Sequence, residues 1–201
     1  MVVVGITGGI GSGKGLATEF CRSRGAVVID ADEVARELTR AGKPLVEEIA
    51  AEFGREFLCE DGSLDRRKLA RSVFRDAEAA ARLNRITHPP IVAAIEKEIE
   101  RLAAEGRTKV ACIVAPLLLE AGYERGKQVD RVLVMVAEEG ERVRRVMERD
   151  GFTEDEVRLR MTAQMAAEEQ RRRADWVVDT TAGEKQALSQ LERIWEELAR
   201  E

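Results

Sequence analysis

Cysteine is scarce in this chain, and what there is lies scattered. Cys21, Cys59 and Cys112 are odd in number and widely spaced, in stretches that read as helix, loop and buried strand. That pattern implies neither a disulfide framework nor a clustered metal site, and it fits reducing surroundings. Long hydrophobic runs are missing too: the longest near-apolar stretch, Val110 to Leu119, contains a proline and falls short of the ~20 residues that cross a bilayer. No transmembrane segment is expected. The start is apolar at once and turns into glycines, without a basic region or a small-residue cleavage site, so no secretory signal is read and a cytoplasmic location is expected. A basic excess is also lacking. The net charge of −5 argues against a general nucleic-acid or membrane-surface binder, so any anionic ligand must be held locally. Internal repeats and low-complexity linkers are absent, and nothing in the sequence indicates an oligomeric state.

What is present describes a globular α/β protein. With 44% hydrophobic and 35% charged residues, the chain has apolar side chains enough for a core, and its 201 residues, at ~100–200 per domain, suit one core with insertions. Val2 to Thr7 is short, β-branched and uncharged, the mark of a strand covered on both faces. It runs into a glycine-rich turn and then a helix from Lys14 to Ser23, with Leu16, Phe20 and Cys21 at helical spacing, ended by Gly25. A second buried strand covers Ala26 to Ile29, completing a βαβ unit. Further strands are expected at Lys109 to Ala115, Val129 to Ala137 and Trp176 to Val178. An amphipathic helix from Lys185 to Glu201 closes the chain.

From Asp32 to about Arg107 only helical patterns appear, carried by Val34/Leu38, Leu45/Ile49/Phe53, Leu69/Val73, Leu83/Ile86 and Ile91/Ile95/Ile99/Leu102. Turn chemistry at Gly42-Lys43-Pro44, Asp61-Gly62-Ser63 and His88-Pro89-Pro90 places boundaries between these helices. A charged helical pair lies between the last two strands, divided at Asp150-Gly151-Phe152, and Thr153 to Glu156 fits a capping box. Read alone, this arginine-rich pair is a solvated, salt-bridged surface.

Gly8-Gly9-Ile10-Gly11-Ser12-Gly13-Lys14 satisfies G-x-x-x-x-G-K directly after a strand and before a helix, the context a phosphate-binding P-loop requires. Glycines let the backbone curl around an anion, the helix start adds partial positive charge, and Lys14 supplies a point charge for the phosphates. The next position usually carries a serine or threonine that coordinates Mg²⁺; here it is Gly15. Thr18, one turn on, is not an equivalent ligand. Asp32, beyond the second strand, lies where ligands of open α/β sheets bind, and a carboxylate there can accept a hydroxyl proton. Asp30 reads as the structural carboxylate, with helix capping the plain alternative for either residue.

Several ordered motifs are similar to those of the dephospho-CoA kinase family. They are Thr7 to Lys14, Val28 to Asp32 with Arg36, Asp61 to Arg66 with Val73-Phe74, His88-Pro89, Pro116 to Glu120, Arg145 to Gly151, Arg160 with Gln164-Met165, and Ala174-Asp175 before a strand. The resemblance covers nearly the whole chain. It implies a three-layer P-loop NTPase-like fold with a parallel sheet. Residues 1–30, 107–138 and 173–201 would form the nucleotide-binding core, 31–106 a helical acceptor-binding insertion and 139–172 a helical lid.

The implied activity is ATP-dependent phosphorylation of the ribose 3′-hydroxyl of dephospho-CoA, giving CoA and ADP, with Mg²⁺ as cofactor. Gly8, Gly11, Ser12, Gly13, Lys14, Gly15 and Leu16 would line the ATP phosphates, with backbone amides from Gly11 to Leu16 as donors. Asp32 would orient and deprotonate the hydroxyl, and Arg145, with Arg149 and Arg160, would meet the triphosphate. Arg36, Arg66, His88 and Glu120 are the expected acceptor contacts. Arg36 and Arg66 read equally well as surface ion pairs, and His88, the only histidine, as the fixture of a helix junction rather than a proton carrier or metal ligand. Arg142 stands where the family usually has Gln and reads as another exposed charge. Thr180 stands where an Asn commonly helps recognise adenine. Two alternatives follow from these departures: a weakened nucleotide- or CoA-binding module, or another small-molecule P-loop kinase.

Overall fold

The computed structural model describes residues 1–73, 76–123, 125–126 and 128–200; Phe74 and Glu201 of the motifs above lie outside the described residues. β1 (Val2–Thr7) is buried from Val3 onward and takes the central place in a five-stranded sheet. The order is β2 (Val27–Asp30), β3 (Val110–Val114), β1, β4 (Arg131–Val136) and β5 (Trp176–Asp179). β1 runs parallel to β3, from Val2 opposite Val110 to Ile6 opposite Val114, and parallel to β4, from Val4 opposite Arg131 to Thr7 opposite Val134. β4 and β5 are also parallel. The α/β class and the parallel sheet hold, and the continuous apolar character of β1, β3 and β4 is the consequence of cover on both faces.

Two aspartates serve strand starts: Asp130 Oδ2 accepts the Val3 N–H at 2.8 Å and Asp175 Oδ2 that of Val132 at 2.8 Å. One face of the sheet packs Val4, Ile6, Cys112, Leu133 and Met135 against α1 (Lys14–Ser23) and α9 (Glu184–Leu198). Phe20 meets Trp195 edge to face, with centroids 6.2 Å apart. Each fully buried apolar side chain in such a core contributes ~1.5–3 kcal/mol.

The chain divides into two units, one of Met1–Ile29 with Leu102–Glu201, the other of Asp30–Arg101. The second unit is helical: α2 (Ala31–Leu38), α3 (Pro44–Phe53), a 3-10 turn Arg55–Phe57, α4 (Arg66–Val73) and most of α5 (Ala77–Glu105). Its core is Leu45, Ile49, Leu69, Val73 and Ala79. The turn at Asp61-Gly62-Ser63 forms as its residues dictate, with Asp61 Oδ1 accepting from Ser63 N at 2.9 Å and Ser63 Oγ at 2.6 Å.

The boundary expected at His88-Pro89-Pro90 is absent, because α5 runs straight through both prolines. Proline removes amide donors and usually ends a helix, yet apolar residues at helical spacing on both sides bury the same helix and override it. In the first unit, the expected charged pair is three helices, α6 (Glu139–Asp150), α7 (Glu154–Thr162) and the short α8 (Ala167–Arg172). α8 is too short and too charged to show a period. The capping box does form, with Thr153 N donating to Glu156 Oε2 at 2.9 Å and Glu156 N to Thr153 Oγ1 at 3.3 Å. Among the described residues, no helix is long and apolar enough to cross a membrane.

Candidate active site

β1 ends at Thr7 and hands the chain to the glycine turn, which ends where α1 begins. Gly8 has φ +143°, and a Cβ there would sit 2.2 Å from the Met135 carbonyl oxygen, so only glycine fits. The loop closes on itself through Ser12 N–H to Gly9 O at 3.1 Å and Leu16 N–H to Gly13 O at 3.0 Å. Lys14 curls back over it, Nζ donating to Gly8 O at 2.6 Å and Gly9 O at 3.2 Å. α1 has no side-chain cap and no acidic residue in its first turn. No cap side chain or first-turn carboxylate offsets the positive end of this helix, the arrangement that suits an anion. The buried hydroxyls of Thr7 and Ser12, at the two ends of this turn, have no hydrogen-bond partner among the described residues.

Gly15 faces open space, with nothing within 4 Å of where a Cβ would stand. Thr18 is no substitute ligand, since its hydroxyl donates to Lys14 O at 3.0 Å. Among the described residues no cluster of His, Cys, Asp or Glu has the makings of a metal site.

Thr180 is buried under the loop. Its hydroxyl lies 3.1 Å from Ser12 O and 3.2 Å from Val136 O, and accepts Arg145 Nη1 at 2.7 Å. Arg145 Nη2 reaches Thr180 O at 2.8 Å, Nε reaches Glu141 Oε1 at 2.8 Å, and Nη1 lies 3.4 Å from Gly11 O. Hydrogen bonds from Arg144 first, and then Arg145, hold the Glu141 carboxyl at about 2.

Arg142 is not the exposed charge the sequence led one to expect. Its Nε donates to Ile10 O at 2.9 Å, its guanidinium lies against Gly9, and burial lowers its pKa below the usual arginine range. Gln164 completes the contact, Oε1 accepting the Ile10 N–H at 2.7 Å. Neither residue was assigned to the loop from the sequence, and no local pattern marks a side chain that must reach a backbone group more than a hundred residues away.

Other named residues in this unit engage elsewhere. Arg149 forks onto Asp150 at 2.8 and 2.7 Å. Arg160 stacks 4.0 Å from the Phe152 ring centroid and donates to Glu156 O at 3.1 Å. Glu120 accepts the Met165 N–H at 2.7 Å.

In the second unit the cap of α2 is Asp30, which accepts from Asp32 N at 2.8 Å and Glu33 N at 3.3 Å. The Asp32 carboxylate is therefore not the cap. Asp32, Arg36 and Arg66 form one electrostatic group: desolvation and then Arg36 push the Arg66 pKa down while Asp32 opposes them. Arg66 Nη2 also donates to the Thr39 hydroxyl at 2.6 Å. His88 is half-buried within α5, immediately before Pro89.

A family model described as dephospho-CoA kinase matches residues 2–186. A dephospho-CoA kinase of Syntrophotalea carbinolica is 42% identical over 191 residues, 95% of this chain and 89% of that protein. The solved structure of TT1252 from Thermus thermophilus superposes with a TM-score of 0.79 at 38% identity, covering 98% of this chain and 97% of its own. That of a dephospho-CoA kinase from Campylobacter jejuni gives 0.70 at 25% identity, covering 98% and 97%.

Proposed function

The chain belongs to the dephospho-CoA kinase family and is an enzyme that phosphorylates dephospho-CoA with ATP as the donor, and from that premise we propose how its residues divide the work. The β- and γ-phosphates lie in the Gly8–Lys14 turn, held by backbone amides from Gly11 to Leu16 and by Lys14. Gly15 adds a backbone amide only. The observation that carries this is the start of α1, uncapped and free of acidic residues, beside a loop whose Gly8 tolerates no side chain. Arg145, already 3.4 Å from Gly11 O, supplies further positive charge as charge builds on the transferring group. Residues 1–30, 107–138 and 173–201 serve as nucleotide-binding core and 139–172 as lid. Arg149 and Arg160 reach the triphosphate only by leaving Asp150 and Phe152.

The acceptor is assigned to the helical segment 31–106. Arg36 and Arg66 neutralise its phosphates, His88 and Glu120 touch it, and Asp32 orients the ribose 3′-hydroxyl and accepts its proton. Transfer then requires that hydroxyl to stand in line with the γ-phosphate. Thr180 shapes the loop from below, and the turn that it begins takes the adenine. Mg²⁺ would be held by the nucleotide's own phosphates, by water and by a carboxylate, since the chain offers no hydroxyl at Gly15, and no step is assigned to it. A cytoplasmic location completes the proposal.

The test is an acceptor panel. With ATP and Mg²⁺, dephospho-CoA should be converted to CoA with one ADP per CoA, and the new phosphate should lie on the 3′-oxygen. Nucleosides and sugars should react at least ~100-fold more slowly, because a site built for the acceptor's polar groups rejects analogues lacking them. Binding of nucleotide without turnover, or preference for a sugar, would overturn the proposal.

A further inference from the structure

Ile10, at the tip of the glycine turn, is held from three directions by the helical segment after β4. Its N–H goes to Gln164 Oε1 at 2.7 Å, its C=O accepts from Arg142 Nε at 2.9 Å, and its side chain packs against the buried cluster of Val143, Val146 and Val157. The neighbouring glycines fit closely against the same arginine, a Cβ on Gly9 meeting Arg142 Nη2 at 2.2 Å and one on Gly11 meeting the Arg142 carbonyl oxygen at 2.5 Å.

The backbone consequence is directional. A peptide unit is planar and trans, so its N–H points away from its C=O. When Arg142 fixes the Ile10 carbonyl, it turns the Gly11 N–H the opposite way; Thr180 does the same for the Gly13 N–H by holding the Ser12 carbonyl. A loop with glycine at 8, 9, 11 and 13 would otherwise sample many shapes.

We infer that Arg142 and Gln164 are positioning residues of the phosphate-binding loop: they aim its amides before nucleotide arrives, and they couple nucleotide binding to the docking of α6 and α7. This rests on the proposed role of the loop as the phosphate site. By linkage, whatever tightens the loop must tighten the helices by the same factor.

The test measures ADP and adenosine affinity, KM for each substrate and thermal midpoint in Arg142→Ala, Gln164→Ala and Gln164→Glu. Loss of one such hydrogen bond should weaken ADP and raise KM for ATP about 3–10-fold, with adenosine affinity and KM for dephospho-CoA unchanged. Gln164→Glu keeps the acceptor oxygen for Ile10 but sets a charged oxygen against the Pro116 carbonyl and beside the loop, so it should keep the loop bond while binding ADP more weakly than wild type. In the wild-type protein, saturating ADP should slow amide exchange in residues 8–14 and also in α6 and α7. This last readout decides the matter even if an alanine variant fails to fold.

Normal ADP affinity in both alanine variants, or ADP-induced protection confined to residues 8–14, would overturn the inference alone. An equal loss of adenosine affinity would do the same, by marking a general structural defect. Failure of the wild-type protein to bind ADP, or full binding by Lys14→Ala, would instead overturn the reading of the loop and the inference with it.

Discussion

Arg145 and Thr180 are joined twice, guanidinium to hydroxyl at 2.7 Å and guanidinium to carbonyl at 2.8 Å, so an α6 arginine is locked to the turn beyond β5. The same hydroxyl reaches the Ser12 carbonyl at 3.1 Å. One threonine therefore sets both the charge above the glycine turn and the turn itself. Thr180→Val, which keeps the shape and removes the hydroxyl, leaves Ser12 O and one Arg145 nitrogen without their partner. It should cost about 1–3 kcal/mol of stability and raise KM for ATP several-fold, as thermal melts and steady-state kinetics will show.

Lys14→Ala removes the point charge that now curls over Gly8 O and Gly9 O. Loss of transition-state charge stabilisation of this kind lowers kcat by about 10²–10³-fold. Full turnover in that variant would contradict the role.

Asp32→Asn keeps the shape and removes the base. Turnover should fall about 10²–10⁴-fold, the range for general-base contributions, while ADP affinity stays as in the wild type. An unchanged rate would mean that Asp32 acts only as a charge beside Arg66.

Gly15 faces empty space, so a pair of substitutions separates its two effects. Gly15→Ala should stabilise α1 by up to ~1 kcal/mol without touching the metal. Gly15→Ser should do the first in part and also make ADP affinity depend more steeply on Mg²⁺ concentration, read by titration calorimetry. Equal Mg²⁺ dependence in wild type, Ala and Ser would show that a hydroxyl there gains no metal contact.

Glu141 carries a pH signature. Its carboxyl is held at about 2 against an ordinary 4.5, chiefly by Arg144 and then by Arg145. A carboxyl depressed in the folded state contributes stability above its unfolded pKa and loses it as pH falls through the folded one. The midpoint difference between wild type and Glu141→Gln should be constant at neutral pH. It should shrink from about pH 4.5 down towards about 2.

The sheet and the loop were legible because their signals are local. Uncharged β-branched runs mark strands buried on both faces, and a glycine spacing followed by lysine can be read in seven residues. Asp30 as cap and the Thr153–Glu156 box were readable for the same reason. The uninterrupted α5 was not, because two prolines announce a break that burial on both sides overrides. The loop contacts of Arg142 and Gln164 were not legible for a different reason: both residues stand out by resemblance, but each finds Ile10 across more than a hundred residues of chain, which no local spacing signals. Arg142 looked like one charge among many in an arginine-rich stretch.

The central claim is that the turn between β1 and α1 cradles the triphosphate while Asp32 readies the acceptor alcohol. A crystal structure with a non-hydrolysable ATP analogue and dephospho-CoA tests it most directly. The account predicts β- and γ-phosphates within hydrogen-bond distance of the Gly11 to Leu16 amides and Lys14 Nζ, and the ribose 3′-hydroxyl on Asp32. Phosphates bound elsewhere, or a 3′-hydroxyl remote from Asp32, would contradict it.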